Sequence, residues 1–287
     1  MDWVNALVQG TLLGGLYALF AAGLSLIFGI MRLVNIAHGD LIVLASYLGL
    51  VVVTATGMHP LLALAVAVPA MAVLGYVLQH GILNQTLGDD LLPPLLVTFG
   101  LSVIIQNALL EGFTADPQKM NAGAIETASV SVGSLQLGVL PILTFATAVG
   151  VIAALQWMFY NTALGRAFRA VSDNQEIAQL MGLNRRHIFG LAMGLALGVT
   201  AIAGIFLGIR TSFDPSAGAS RLIFGFEAVI IGGLGNLWGT LAGGVILGVS
   251  QTLGAKIDPG YQILAGHIAF LVVLAVRPQG LFPRVSG

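Results

Sequence analysis

The sequence contains no cysteine and very little charge. Without cysteine the chain forms no disulfide and no thiolate metal site, and its redox compartment stays undetermined. Only 8% of its 287 residues are charged, whereas soluble globular domains carry about 25%. The net charge of −1 gives no indication of a nucleic-acid partner or of a polybasic segment for lipid headgroups. The low fraction of charged residues excludes the soluble globular class.

Signatures of catalysis are also missing. The sequence has no HExxH, no GxSxG and no cysteine nucleophile. A Walker A loop needs Gly-Lys-Ser or Gly-Lys-Thr, but the two lysines, Lys119 and Lys256, follow Gln118 and Ala255. We therefore expect no ATP hydrolysis by the P-loop route. The five histidines are scattered at positions 38, 59, 80, 187 and 267, which does not favour a metal site.

Apolar residues dominate the chain. Hydrophobic residues make up 57% of it, and the mean hydropathy is +0.96. A hydrocarbon core about 30 Å thick needs about 20 apolar residues per helix, and each span must satisfy its own backbone polar groups. Long apolar runs in place of short alternating strands predict membrane helices and not a β-barrel. The first run lacks a basic flank and a cleavage site, so we expect it to be retained as a span.

Nine apolar stretches predict an all-α, polytopic helical membrane protein with about eight or nine membrane segments, forming one transmembrane domain over residues 1–287. Seven stretches are long enough to cross a bilayer. The other two are interrupted by GGLGNLWG, which predicts a broken or re-entrant hairpin between residues 223 and 254. The stretches cover residues 4–30, 38–56, 60–84, 91–112, 140–160, 187–209, 223–235, 238–254 and 262–276.

Basic residues near the span ends predict the orientation, because they favour the cytoplasmic side. Arg166, Arg169, Arg185 and Arg186 place residues 162–187 in the cytoplasm, and the C-terminus follows from basic residues at positions 277 and 284. Counting back places the N-terminus and the loop of residues 113–139 outside. The alternation in ETASVSVGSLQLGVL predicts one or two short strands there, in a small extracytoplasmic cap.

Residues 162–187, TALGRAFRAVSDNQEIAQLMGLNRRH, are called the charged segment below. Ser172 or Asp173 is expected to cap a helix that begins near residue 174, has Glu176 in its first turn and stops at Gly182 after two or three turns. Its apolar side chains share one face at helical spacing. These are Ile177, Leu180 and Met181. The segment is either a docking element for a partner or an interfacial connector on lipid headgroups.

The pattern of Glu176, Ala178 and Gly182 resembles the loop by which ABC importer permeases engage their ATPase subunits, with Ile177 where an alanine would stand. Further stretches resemble the branched-chain amino-acid (Liv-type) permease family, and together with the charged segment they follow one another in the order expected for it. These stretches are VNIAHGDLIVLASYLG at 34–49, GGLGNLWGTLAGGVILG at 232–248 and RPQGLF at 277–282.

The resemblance implies a permease subunit in the bacterial inner membrane. Its implied partners are a second homologous permease, two cytoplasmic ATPase subunits that hold ATP and Mg²⁺, and a periplasmic solute-binding protein. A heterodimer of permeases is favoured over a homodimer, and this chain is expected to bind no cofactor. The expected solute is a branched-chain amino acid, although similar permeases serve urea, amides or aromatic acids. The alternative from the residues alone is an ion-coupled secondary transporter or a channel.

The resemblance also assigns a coupling role to residues of the charged segment. They are Arg166, Arg169, Asp173, Asn174, Glu176, Ile177, Ala178, Leu180, Met181 and Gly182.

Polar residues inside predicted spans are candidates for the solute pathway, because polar groups in a bilayer are costly. The candidates are Asn35, His38, Asp40, Glu227 and Asn236. Asp40 alternatively satisfies first-turn amides, and Glu227 either faces solvent or pairs with Arg210 or Arg221. His267 is expected to be a donor between packed helices.

Glycines recur at intervals of three or four residues in several spans, a pattern that lets helix backbones approach closely. It indicates either ordinary helix packing or a gate or subunit interface. The glycines are Gly10, Gly14, Gly15, Gly190, Gly194, Gly198, Gly239, Gly243, Gly244 and Gly248.

Overall fold

Twelve α-helices, two short 3₁₀ helices (Leu83–Gln85 and Pro259–Tyr261) and one two-stranded sheet are present in the part of the chain that the computed structural model describes, residues 2–88, 90, 92–133 and 135–283. Arg284 lies outside these residues. The helices are α1 (Asp2–Met31), α2 (His38–Thr56), α3 (Leu64–Gly81), α4 (Leu92–Phe113), α5 (Ala124–Thr127), α6 (Val139–Asn161), α7 (Ala163–Asp173), α8 (Gln175–Leu180), α9 (Arg185–Arg210), α10 (Gly218–Gly232), α11 (Leu237–Ile257) and α12 (Gln262–Val276). The strands are β1 (Ser129–Val132) and β2 (Leu135–Gly138).

The predicted membrane segments are confirmed. Over the described residues, seven helices are long and apolar enough to cross a membrane, or eight if the bent pair α10 and α11 counts as one span. Helices α1 and α9 form the centre of the bundle, with 83% of each apolar window buried. Only 6% of the apolar window that contains α12 is buried, so α12 lies at the periphery of the bundle.

Close backbone contacts hold the central helices together. Helix α11 runs antiparallel to α1, so that Gly10 lies against Gly248 and Gly29 lies against Gly235. A Cβ atom built on Gly244 would stand 2.6 Å from the carbonyl oxygen of Gly14, which is too close for any side chain. Lipid tails are as apolar as the side chains, so association in a membrane relies on such close van der Waals packing. The packing interpretation of the glycine pattern is confirmed here.

Helices α10 and α11 form the predicted broken pair. Their axes differ by 117°, and the chain turns between them through Gly233 and Gly235, whose φ angles are 104° and 78°. Glycine adopts these left-handed conformations without a steric penalty. The Asn236 side chain then caps α11 by accepting a hydrogen bond from the Gly239 amide at 2.9 Å. The sequence GGLGNLWG thus supplies both the turn and the new helix start.

Strands β1 and β2 confirm the short strands predicted after α4. They pair antiparallel, with Ser129 opposite Gly138. The amide of the Gln9 side chain donates to the Gln136 carbonyl at 3.0 Å and joins the hairpin to the start of α1. In the same loop, a hydrogen bond from the Lys119 ammonium at 2.6 Å lowers the pKa of the Glu126 carboxyl.

The loops divide into two sets at opposite ends of the bundle. One end, called the hairpin end, holds the β-hairpin, the start of α1 and the bridge between Gln118 and Phe213 that ties the α4–α5 loop to the end of α9. The other, called the α8 end, holds α7, α8, the end of α1 and the α10–α11 break. The loop of residues 113–139 and the charged segment thus lie at opposite ends of the bundle, as the sequence predicts. The proposal that the α8 end is cytoplasmic rests on the arginines.

Gly244→Leu should disrupt the contact between α1 and α11. The new side chain would meet the backbone of α1, and overpacking of this kind typically costs about 1–3 kcal/mol. We expect a lower melting temperature of the detergent-purified protein, measured by size-exclusion chromatography after heating. Gly150→Leu is the matched control, because a Cβ atom at Gly150 meets nothing within 4 Å. Equal melting temperatures of the two variants would contradict the packing role.

Candidate functional site

The charged segment folds into α7, α8 and the first turn of α9. The Thr162 hydroxyl caps α7 by accepting from the Gly165 amide at 3.1 Å. Phe168 and Val171 are buried, and the Ser172 hydroxyl donates to the Gly29 carbonyl of α1 at 2.8 Å. Helix α7 is therefore fastened to the end of the central helix.

The prediction that Ser172 or Asp173 caps α8 is wrong. Asn174 is the cap, since its side-chain oxygen accepts from the Ile177 amide at 3.0 Å. Ser172 is instead turned towards α1, and Asp173 is the last residue of α7. Asn174 can act as the cap because its backbone is extended, as is usual for the residue before a helix, and the chain turns at this residue between α7 and α8.

The predicted end of α8 is confirmed. Gly182 has a φ of 85°, its amide bonds to the Gln179 carbonyl, and the Leu183 amide bonds to the Ala178 carbonyl at 3.0 Å. These two hydrogen bonds satisfy the last carbonyl groups of the helix, and the turn that they require favours glycine at the left-handed position. Helix α8 has 6 residues, which is shorter than the two or three turns predicted.

The outer face of α8 exposes three apolar side chains, called the docking ridge. Ile177, Leu180 and Met181 are 58%, 86% and 79% exposed, whereas Ala178 on the opposite face is 3% exposed. Glu176 lies beside the ridge in the first turn and is exposed. On α7, Arg166 is exposed as well. A ridge of this kind, outside the spans, is typical of a contact with another protein or with lipid.

Other coupling candidates flank the ridge. Arg169 lies over the Tyr160 ring at 4.9 Å and is half-buried, while Asp173 and Asn174 are exposed. Two cavities, of about 520 Å³ and about 270 Å³, adjoin α8 and are lined by Gln179 and Gln175 respectively. The structure thus brings all the predicted coupling residues to one end of the bundle.

Three pathway candidates lie where α2 begins inside the bundle. Asn35 is buried, and its side-chain oxygen accepts from the Ala37 amide at 3.0 Å. The His38 ring contacts the Phe20 carbonyl, midway along α1, at 2.9 Å. The Asp40 carboxylate accepts from the Ser102 hydroxyl of α4 at 2.5 Å. Asp40 therefore also links α2 to α4, beyond any contact with amides of its own turn.

Asn236 lies at the α8 end and joins two motifs that are distant in the sequence. Its side chain caps α11 and also donates to the Phe282 carbonyl at 2.9 Å. The Leu281 amide adds a bond to the Ile231 carbonyl at 2.9 Å. Residues of RPQGLF therefore close over the GGLGNLWG break. These contacts give Asn236 a structural role, and its place in the pathway stays a prediction.

The expected surroundings of Glu227 are wrong. Glu227 is 4% exposed, so it does not face solvent, and no described ion pair joins it to Arg210 or Arg221. Its carboxylate contacts the His267 ring of α12 at 2.5 Å. Proximity in sequence pointed to the arginines, but α12 packs against α10 and α11 and supplies the partner. His267 is confirmed as a contact between packed helices.

Two buried polar residues, Tyr17 and Gln251, escaped the sequence analysis. The Tyr17 hydroxyl of α1 donates to the Gln251 side-chain oxygen of α11 at 2.5 Å, and both residues are buried. Their signal was weak, because each is a single polar residue in an apolar run. Arg210, Arg221 and Glu227 lie within electrostatic reach of the Tyr17 hydroxyl. These residues and His267, which contacts Glu227, are called the polar cluster: Tyr17, Arg210, Arg221, Glu227, Gln251 and His267.

Metal ligation has no support in the described part of the chain. Over those residues, no group of three or more His, Cys, Asp and Glu side chains is placed to hold a metal ion.

The fold and its two polar regions define a class of protein. Apolar helices that cross a membrane, a broken helix pair, buried polar groups between spans and a capped helix at one end are the architecture of a multi-pass membrane permease. The family model described as branched-chain amino acid transport system / permease component matches residues 6–276. The chain belongs to this family, whose members are permease subunits of ABC transporters and are not themselves enzymes.

Individual relatives extend the match over the whole chain. The high-affinity branched-chain amino acid transport system permease protein BraD of Pseudomonas aeruginosa is 27% identical over 98% of this chain and 96% of the relative. The corresponding protein LivH of Escherichia coli is 28% identical over the same shares. The solved structure of PsaBC from Streptococcus pneumoniae in complex with Fab matches 97% of this chain and 96% of that chain, with a TM-score of 0.51 at 13% identity. This last likeness concerns the fold alone.

Asn174→Ala should loosen α8 without affecting the spans. Loss of an N-cap side chain costs about 1 kcal/mol, which corresponds to about fivefold more opening of the helix. We expect faster hydrogen exchange in a peptide covering residues 172–184, measured by mass spectrometry. Gln179→Ala is the control, because Gln179 is exposed on the same helix and caps nothing. Unchanged exchange in the Asn174 variant would exclude the capping role.

Proposed function

We propose that this chain is a permease subunit of an ABC importer and forms half of the translocation pathway. ATP hydrolysis on separate subunits would drive it through α8. The single observation that carries the proposal is the docking ridge: Ile177, Leu180 and Met181 stand exposed on a helix held at both ends. A partner that covers these side chains would gain about 1.5–3 kcal/mol for each one fully buried.

The attachment of α8 suits the transmission of movement. A helix of 6 residues is unstable alone in water. Here the Asn174 cap, the Gly182 turn and the bond from Ser172 to Gly29 support it. A displacement of α8 would therefore reach α1, which lies at the centre of the bundle.

The proposed assembly contains a second homologous permease, two ATPase subunits that bind ATP and Mg²⁺, and a periplasmic solute-binding protein. A heterodimer of permeases is favoured. The α8 end and the C-terminus would face the cytoplasm of a bacterial inner membrane, and the hairpin end and the N-terminus would face outwards. The family description and the relatives named above support a branched-chain amino acid, or a related small polar or amphipathic solute.

Reconstitution tests the energy source. In proteoliposomes with the binding protein present, uptake of L-leucine should depend strictly on the ATPase subunits. It should also require ATP on the side of the membrane where those subunits lie. Uptake driven by an ion gradient with no ATPase added would contradict the proposal and favour a secondary transporter.

Leu180→Asp tests the docking ridge. Leu180 is 86% exposed, so a charge there leaves the fold intact, but it would be buried in an interface with the ATPase. Loss of an apolar anchor typically costs about 2 kcal/mol, or more than tenfold in affinity. We expect the ATPase subunits to be lost on co-purification. Gln179→Asp introduces the same charge one residue away from the ridge and serves as the control. Full retention of the ATPase by the Leu180 variant would exclude docking there.

Glu176→Lys and Gly182→Val should uncouple ATP hydrolysis from uptake. The first reverses a charge beside the ridge, and the second forces a β-branched residue into a left-handed turn with φ of 85°. We expect ATPase activity that the binding protein no longer stimulates and at least tenfold slower L-leucine uptake. Gly81→Val is the control for the second variant, because a Cβ atom at Gly81 meets nothing within 4 Å. Normal stimulation in both variants would contradict the coupling role.

A further inference from the structure

We propose that Arg210, Arg221 and Glu227 form a binding site for a zwitterionic amino acid between the membrane helices. The inference rests on the proposed function and adds to it a place where the permease itself contacts the solute. Arg210 ends α9, whereas Arg221 and Glu227 lie on α10. The site adjoins Tyr17 of α1, whose ring lies 5.2 Å from the ring of Phe224, a residue of α10 between Arg221 and Glu227.

The charges of these three residues are incompletely satisfied. The Arg210 Nη1, Arg221 Nε and Glu227 Oε2 atoms are buried and have no hydrogen-bond partner. Among the described residues, neither arginine forms an ion pair with a carboxylate. Charged groups within a membrane protein normally pair or line a pathway, because an uncompensated buried charge is costly. The arrangement is therefore suited to a ligand that supplies the missing partners.

The neighbouring residues are already occupied on their other sides. His267 holds the Glu227 Oε1 atom and leaves Oε2 free for a donor. The Tyr17 hydroxyl is committed to the Gln251 Oε1 atom, while the Gln251 Nε2 atom is buried without a partner. The site thus offers donors from two guanidinium groups and one amide, and one acceptor from a carboxylate.

This set of groups matches the chemistry of an amino acid. Guanidinium groups bind carboxylates through charge-assisted hydrogen bonds, and a carboxylate accepts from an ammonium. An α-amino acid carries both groups on one carbon. The Phe224 ring lies 5.2 Å from the Tyr17 ring and 6.5 Å from the His267 ring, so apolar surface adjoins the polar groups. Unsatisfied atoms of both signs favour a zwitterion over a simple anion or cation.

Transport by the complete assembly provides the first test. We expect Arg210→Gln, Arg221→Gln and Glu227→Gln each to slow L-leucine uptake about tenfold or more, since each removes a charged hydrogen bond. ATPase stimulation by the binding protein should persist, because α8 is untouched. Arg277→Gln and Glu111→Gln, which remove exposed charges elsewhere, should transport normally. Wild-type uptake in all three site variants would overturn the inference.

Ligand binding provides the second test, with the detergent-purified permease and ATPase assembly and no binding protein. L-leucine should raise its melting temperature, whereas leucinamide, which lacks the carboxylate, should not. Arg221→Gln should abolish the shift while its own unliganded melting temperature stays at or above that of the wild type, because a costly charge is gone. Equal shifts with leucinamide, or a marked loss of unliganded stability, would overturn the inference. The second result would indicate that a companion permease's carboxylate pairs with the arginines.

The two proposals fail in different ways. If the wild-type assembly shows no ATP-dependent uptake, the proposed function fails. If the wild type transports L-leucine and the three site variants do so equally well, the proposed function stands and the site alone is rejected.

Discussion

The close packing of α1 against α11 is the contact on which the rest of the structure depends. Apolar side chains gain little by leaving lipid, so the bundle is held where backbones touch, as at Gly14 and Gly244. Because α1 is buried along most of its length, its backbone is available as a fixed reference for other elements. In the middle of α1, the Phe20 carbonyl contacts the His38 ring. At the end of α1, the Gly29 carbonyl accepts a hydrogen bond from the Ser172 hydroxyl. One helix therefore positions both the start of α2 and α7.

The same helix connects α8 with the polar cluster. Gly29 bonds to Ser172 of α7 and packs against Gly235, where the α10–α11 break turns. Helix α10 begins its 15 residues near Asp40 and ends at this break, and it carries Arg221 and Glu227. A movement of α8 therefore has a short route of direct contacts to the helix that holds the unsatisfied charges. This route is a spatial connection, and the uncoupling variants measure whether it carries energy.

Sequence patterns predicted the spans closely because membrane helices depend on local hydropathy and length. The stretch 38–56 coincides with α2, and the interruption at GGLGNLWG falls at the break. The sequence patterns failed where the hydrogen-bond partner of a side chain comes from an element that is distant in the sequence. Asn174 replaces Ser172 as the cap because α1 draws Ser172 away, and Glu227 bonds to His267, 40 residues further along the chain. Tyr17 and Gln251, 234 residues apart, gave only a weak signal, because each is a single polar residue in an apolar run.

Helix α10 combines features that a rigid scaffold would not need. At about 1.5 Å per residue, its 15 residues span less than a hydrocarbon core of about 30 Å. It is followed by Gly233 and Gly235, whose φ angles are positive, and its last turn is held by bonds from the Leu281 and Phe282 amides to the Ile231 and Gly232 carbonyls. Its charged residues Arg221 and Glu227 lack part of their hydrogen bonds, as does Arg210 at the end of α9. A scaffold gains nothing from unsatisfied charge, so the cost borne by α10 is best explained if a solute supplies the missing partners as it passes.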